Sequence, residues 1–241
     1  MNAPSHKDAW RVAALTMMRP EELKAVLAGS EAAVWVEAAA ACGIAEAQVR
    51  LGRMLLEGKG VSRDARAAFA CFLAAGGDAE ALNMVGRCYE NGWGVAQNFA
   101  EAVRHYRLAA EAGLAWAQYN LGHLLLDGNG VARDRDAAFR CYALAAAQDH
   151  ERAMNLLARC HEEGWGTPRD SQAARAWYHR SAEAGYFRGA YNYATILLAE
   201  GCVAGALRWF RQALETAPEP TRSHIATTLR RHPDARMRVL I

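Results

Sequence analysis

Residues 79–113 read "AEALNMVGRCYENGWGVAQNFAEAVRHYRLAAEAG": two apolar runs of helical period, separated by Gly92-Trp93-Gly94 and closed by Gly113. Gly-Trp-Gly returns 72 residues later at Gly164-Trp165-Gly166, and plainer versions, "EGKGV" at 57–61 and "DGNGV" at 127–131, stand beside and between the two. Unusual punctuation at a fixed interval marks a repeat array.

Aligned on Gly43, Gly77, Gly113, Asp149 and Gly185, the chain falls into segments spaced by 34, 36, 36 and 36 residues. They open with "AEAQVRLGRMLLEGKGV", "AEALNMVGRCYENGWGV", "AWAQYNLGHLLLDGNGV" and "ERAMNLLARCHEEGWGT", and each continues into a second helical run. The pattern predicts a helix A, a loop whose glycines take φ > 0, a helix B and a glycine stop. Small residues such as Ala47, Gly52, Ala81, Gly86, Ala117 and Gly122 allow backbones to approach, with Leu and aromatic residues filling the space between. One hairpin buries only part of its apolar surface, so neighbours must stack. The expected fold is all-α, a right-handed α-solenoid of antiparallel helix pairs with helical caps, and Trp93 and Trp165 are expected to cover the seam between repeats.

Composition agrees with a folded helical chain. Of 241 residues, 52% are hydrophobic and 6 are proline. The formal charge of +2 gives no global pull toward nucleic acid or anionic membrane. No apolar run approaches the roughly 20 residues needed to span a bilayer. Lys7, Asp8, Arg11 and Arg19 interrupt any leader-like apolar stretch near the start. The six cysteines include no C-x-x-C pair and mostly occupy apolar helix contexts, which predicts buried thiols in a reducing, cytoplasmic setting.

The pattern A-x-x-x-L-G-x-x-Y-x-x-G-x-G-V followed by an aromatic, Ala-rich second helix resembles the Sel1-like repeat, a relative of the tetratricopeptide repeat with a longer loop between its helices. The resemblance covers roughly residues 30–217, with repeats at 44–77, 78–113, 114–149, 150–185 and 186–217. Departures are His161 at the usual Tyr position, Asp149 for a terminal Gly, and a last repeat without the Gly-x-Gly insertion. Residues 1–43 and 218–241 are read as capping helices, one of them running from Pro20 to Gly29.

In this repeat class helix A lines the concave side. Core positions of helix A then leave one register for that face: Val49, Arg53, Leu56; Asn83, Arg87, Glu90; Tyr119, His123, Leu126; Asn155, Arg159, Glu162; Tyr191, Thr195, Leu198. Asn-x-x-x-Arg-x-x-Glu occurs twice, and the candidate partner-binding residues are Arg53, Asn83, Arg87, Glu90, Tyr119, His123, Asn155, Arg159, Glu162 and Tyr191. Asn bonds a peptide backbone, Arg forks onto carboxylates and Tyr offers low-entropy contact area. The alternative is that these residues only solvate an exposed helix face, with Arg87 and Glu90 paired.

Catalytic signatures fail at their required spacings. "HEEGW" at 161 has no second histidine for H-E-x-x-H, the glycine pairs complete no phosphate loop, and there is no G-x-S-x-G elbow. His105, His123, His150, His161 and His179 are distributed over successive repeats, so no metal or cofactor is expected. The resemblance implies a non-catalytic scaffold or adaptor that holds a partner protein or peptide. Short proteobacterial members of similar sequence, encoded near iron-uptake genes, imply an iron- and 2-oxoglutarate-dependent hydroxylase or its substrate as that partner. RNA binding by a helical repeat is the competing reading, opposed by the small net charge and by Glu90 and Glu162 in the same face.

Overall fold

A computed structural model of the chain describes residues 32–231, with Trp10, Arg11, Ala13, Ala14, Met17, Glu21 and Arg236. The expected Pro20-to-Gly29 helix, Glu21 apart, and most of the N-terminal cap lie outside the described residues, whereas most of the C-terminal cap is described. Among those described, all regular structure is helical: α1 Ala32–Ala41, α2 Ala45–Glu57, α3 Ala65–Ala74, α4 Ala79–Asn91, α5 Phe99–Glu111, α6 Ala115–Asp127, α7 Arg135–Ala146, α8 Glu151–Glu163, α9 Ser171–Glu183, α10 Phe187–Ala199, α11 Val203–Thr216 and α12 Thr221–Arg230. The all-α expectation and its helix pairs are borne out.

Each long loop is fixed from both ends. Gly92 and Gly164 take φ of 71° and 72° at the ends of α4 and α8, the left-handed conformation that glycine enters without Cβ strain. Trp93 N–H then donates back to the Cys88 carbonyl at 2.9 Å, and Trp165 N–H to the Cys160 carbonyl at 2.9 Å. The second glycine of each loop is needed for a different reason. A Cβ on Gly94 would lie 2.1 Å from the Ala65 carbonyl oxygen, and one on Gly166 would lie 2.2 Å from that of Arg135. The loop therefore rests on the first residue of the preceding repeat's helix B. Asn98 and Asp170 close the loop, donating their N–H to the Tyr89 and His161 carbonyls at 2.9 Å each. Their side chains also cap α5 and α9.

The chain divides into two compact units, residues 1–117 with 129–132 and residues 118–128 with 133–241. In the first, Val49, Phe72, Met84, Val85 and Cys88 make the core between the α2/α3 and α4/α5 pairs, with Trp93 packed against it. In the second, Ala158, Tyr178, Tyr193, Trp209 and Phe210 form the core, and α12 adds Ile225 and Leu229 to it. Gly52, Gly86 and Gly122 each face an aromatic ring of helix B, where a Cβ would come within 2.4–2.6 Å of Phe72, Tyr106 and Tyr142.

One detail differs from the sequence alignment. The left-handed residue after α3 is Gly76, with φ 66°, rather than Gly77. Asp149 adopts φ 58°, so it holds the conformation of the glycine it replaces. The cysteines are less uniformly buried than expected: Cys88 and Cys160 are buried, while Cys202 is exposed. Cys42, Cys71 and Cys141 are half-buried, and Cys202 precedes the first turn of α11.

Candidate partner-binding site

The duplicated Asn-Arg-Glu rows divide into three different environments. Asn83 and Asn155 are 6% and 5% exposed, so they belong to the packed interior rather than to a free face. Val49 and Leu126, read in the same register, are buried as well. The reason is stacking: each helix A is covered along part of that face by the helices packed beside it, which narrows the stripe left to solvent. Asn155 accepts a hydrogen bond from Asn192 Nδ2 at 2.9 Å, tying α8 to α10.

The glutamates face their own repeat. Glu90 accepts the Tyr106 hydroxyl at 2.5 Å and Glu162 accepts the Tyr178 hydroxyl at 2.6 Å. Burial, reinforced by the nearby carboxylate, pushes both phenols well above their ordinary range, so they remain hydrogen-bond donors. The Arg87–Glu90 pair considered from sequence does not form. In the first repeat Leu56 and Phe72 occupy the matching positions, and neither has a polar group to satisfy.

The arginines stay accessible, each lying over an indole. Arg87 lies 5.0 Å from the Trp93 ring centroid and Arg159 lies 4.9 Å from that of Trp165. Both tryptophans are half-buried beneath a guanidinium, and Trp93 packs against the first unit's core. Stacking leaves the edge N–H groups of a guanidinium free to donate while limiting its rotamers.

Two hollows collect most of the candidates, one in each unit. In the first, Arg53, Leu56, Met84, Arg87 and Trp93 line about 300 Å³. Arg53 is ion-paired there with Glu80. In the second, Asn155, Arg159, Glu162 and Tyr191 line about 420 Å³, joined by Arg188 from α10 and His224 from α12. Tyr119 and His123 instead form an aromatic cluster in the second unit. His123 meets Tyr119 edge-on at 4.6 Å, and Tyr119 stacks on His150 at 4.9 Å. Burial lowers the pKa of both histidines, so near neutral pH they pack as uncharged rings.

Sequence reasoning missed Arg188 and His224, and it placed the tryptophans over the seam between repeats without their arginines. A helical wheel carries no signal for Arg87 and Trp93, six residues apart. They meet only because the left-handed glycine folds the chain back over the helix end. For Arg188 there was a signal: the second residue of helix A is Glu46 and Glu80 early in the chain but Arg152 and Arg188 later.

Helix pairs joined by a doubly glycine-pinned loop, with polar side chains gathered in hollows along helix A, define a helical-repeat protein. The chain belongs to the Sel1 repeat family, whose model matches residues 45–76, 79–114, 117–150 and 151–186. Sel1 repeat proteins generally act as scaffolds for protein interactions. The chain is similar to c5321, a protective antigen of uropathogenic Escherichia coli with an SLR fold, at 27% identity and TM-score 0.68 over 84% of this chain. It spans 44% of that protein's length. A Sel1 repeat protein from Oxalobacter formigenes matches 97% of this chain and 93% of its own, at 24% identity and TM-score 0.69. The immunity protein Pa5087 from Pseudomonas aeruginosa shares the fold at 17% identity and TM-score 0.55, over 77% of this chain and 69% of its own. No curated protein matches the sequence. Among the described residues no helix is long and apolar enough to cross a membrane.

Proposed function

We propose that the protein is a non-catalytic adaptor that binds a partner protein or peptide on the exposed stripe of its A helices, in the cytoplasm. The observation that carries this reading is the twin Arg-on-Trp arrangement. Two guanidiniums are held on aromatic platforms, Arg87 with one Nη1 donor on Met84 Sδ at 3.6 Å, each at the border of a hollow large enough for one or two side chains. Arg53 borders the first hollow, Tyr191 and Glu162 border the second, and Glu90 holds Tyr106 within its own repeat. Asn83 and Asn155 lie buried on their own helices, and Tyr119 and His123 pack edge-on along α6.

The sequence resemblance implies an iron- and 2-oxoglutarate-dependent hydroxylase, or its peptide substrate, as the first partner to test. Immobilised chain and the R87A/R159A double variant are incubated with extract of the native cell and, separately, with the hydroxylase. The reading expects a stoichiometric complex with the parent chain that survives nuclease and is lost with the double variant. A complex abolished by nuclease supports RNA binding instead, and equal retention by both chains removes the arginines from the site.

A further inference from the structure

Register equivalence between the first and last A helices exposes a charge reversal. Arg53 is the ninth residue of α2, and it pairs with Glu80, the second residue of α4. The same two positions in α8 and α10 are Arg159 and Arg188. An ion pair that is closed internally in one unit is thus replaced in the other by two arginines lining one hollow. Among the described residues neither forms an ion pair; their ring contacts are Trp165 for Arg159 and Phe187 for Arg188. The one acid of that hollow, Glu162, receives the Tyr178 hydroxyl.

We propose that this hollow is a carboxylate-binding pocket that takes an acidic peptide segment with apolar neighbours. The proposal rests on the adaptor reading and specifies the chemistry its partner must present. Two guanidiniums at one site repel each other, and a bound anion relieves that repulsion while taking forked, charge-assisted hydrogen bonds. The walls select among anions. Leu156, Phe187, Tyr191 and Ile225 offer apolar surface for side chains flanking the carboxylate. Asn192, fixed to Asn155, borders the same space and supplies amide groups of the kind that pair with a peptide backbone. Glu162 at the border disfavours a dianionic phosphate more than a single carboxylate. The volume of about 420 Å³ accommodates a short segment, not a folded domain.

The test uses the full chain and calorimetric titration with three probes: an acetylated, amidated peptide alternating Leu and Glu, its Leu-Gln counterpart, and inorganic phosphate. The Leu-Glu peptide is expected to bind saturably and to weaken with salt, and the Leu-Gln peptide to bind roughly 10- to 100-fold more weakly. R188E restores the charge pairing of Arg53 with Glu80. It is therefore expected to cost peptide affinity by a similar factor while the melting temperature stays level or rises, a result that separates lost binding from lost folding. Equal binding of both peptides, phosphate binding as tightly as the Leu-Glu peptide, no saturable binding, or R188E binding like the parent each overturns the proposal. Overturning it while the R87A/R159A-sensitive partner complex persists leaves the adaptor reading standing; loss of that complex as well removes both.

Discussion

At the residue scale, the two Gly-Trp-Gly loops do separate jobs with each residue. The first glycine ends the helix, the second lets the loop touch the preceding repeat, and the tryptophan becomes a platform for an arginine on its own helix. Trp165 is half-buried, so its truncation should cost less than the full burial of an aromatic. Trp165→Ala is expected to destabilise by about 1–3 kcal/mol, measured by urea unfolding, and to weaken partner binding because Arg159 loses its support. A loss of binding with no loss of stability would move the tryptophan wholly into the interface. The glycines inside helix A answer to packing alone. Gly86→Ala drives a methyl toward the Tyr106 ring, and overpacking of this kind is expected to destabilise by about 1–3 kcal/mol with helicity retained. The fourth repeat, with Ala158 in the matching position beside Tyr178, already accommodates that methyl.

At the element scale, the helix N-caps differ in a way that makes one of them sensitive to pH. Asp78 caps α4, accepting Ala81 N–H at 2.8 Å, whereas α8 is capped by His150, whose Nδ1 accepts Ala153 N–H at 3.2 Å. Only an unprotonated Nδ1 can accept. Burial, opposed by Glu151 and aided by Arg152, lowers the His150 pKa in the folded chain. A lowered histidine pKa means that the unfolded chain binds the proton first, so this stabilisation is complete above about pH 6.5 and is lost as pH falls through the lower folded value. His105 and His123 shift in the same direction, again chiefly through burial, and add to the acid limb. His150→Asn keeps a capping acceptor without titrating; melting curves between neutral and mildly acid pH should show a shallower decline than the parent's.

Helix ends and turns were legible in the sequence because glycine and capping residues carry local signals. The Asp149 turn was legible too, since the repeat demanded a glycine-like conformation there. The burial of Asn83 and Asn155 was not legible, because a single helix's periodicity does not show how much of its flank the next helix covers. The partners of Glu90 and Glu162 were hidden for a related reason: their tyrosines lie 16 residues away on the other helix of the hairpin.

At the scale of the whole molecule, the repeat plan separates what holds the chain together from what remains available to a partner. Small residues and ring packing stabilise the hairpins, with Tyr–Glu bonds added in the second and fourth repeats, and the arginines over the tryptophans contribute little that a neighbouring repeat requires. Removing such surface groups usually changes stability by less than about 0.5 kcal/mol. The chain carries two Arg-on-Trp sites, one in each unit. The central claim is that Arg87 and Arg159 act in recognition, and the direct measurement is the affinity of the purified partner for the parent chain, each single alanine variant and the double variant. The account predicts unchanged melting temperatures, roughly tenfold weaker binding for each single change, and a larger loss for the double. Parent-like affinity in the double variant would contradict it and leave the arginines as solvent-facing covers of their tryptophans.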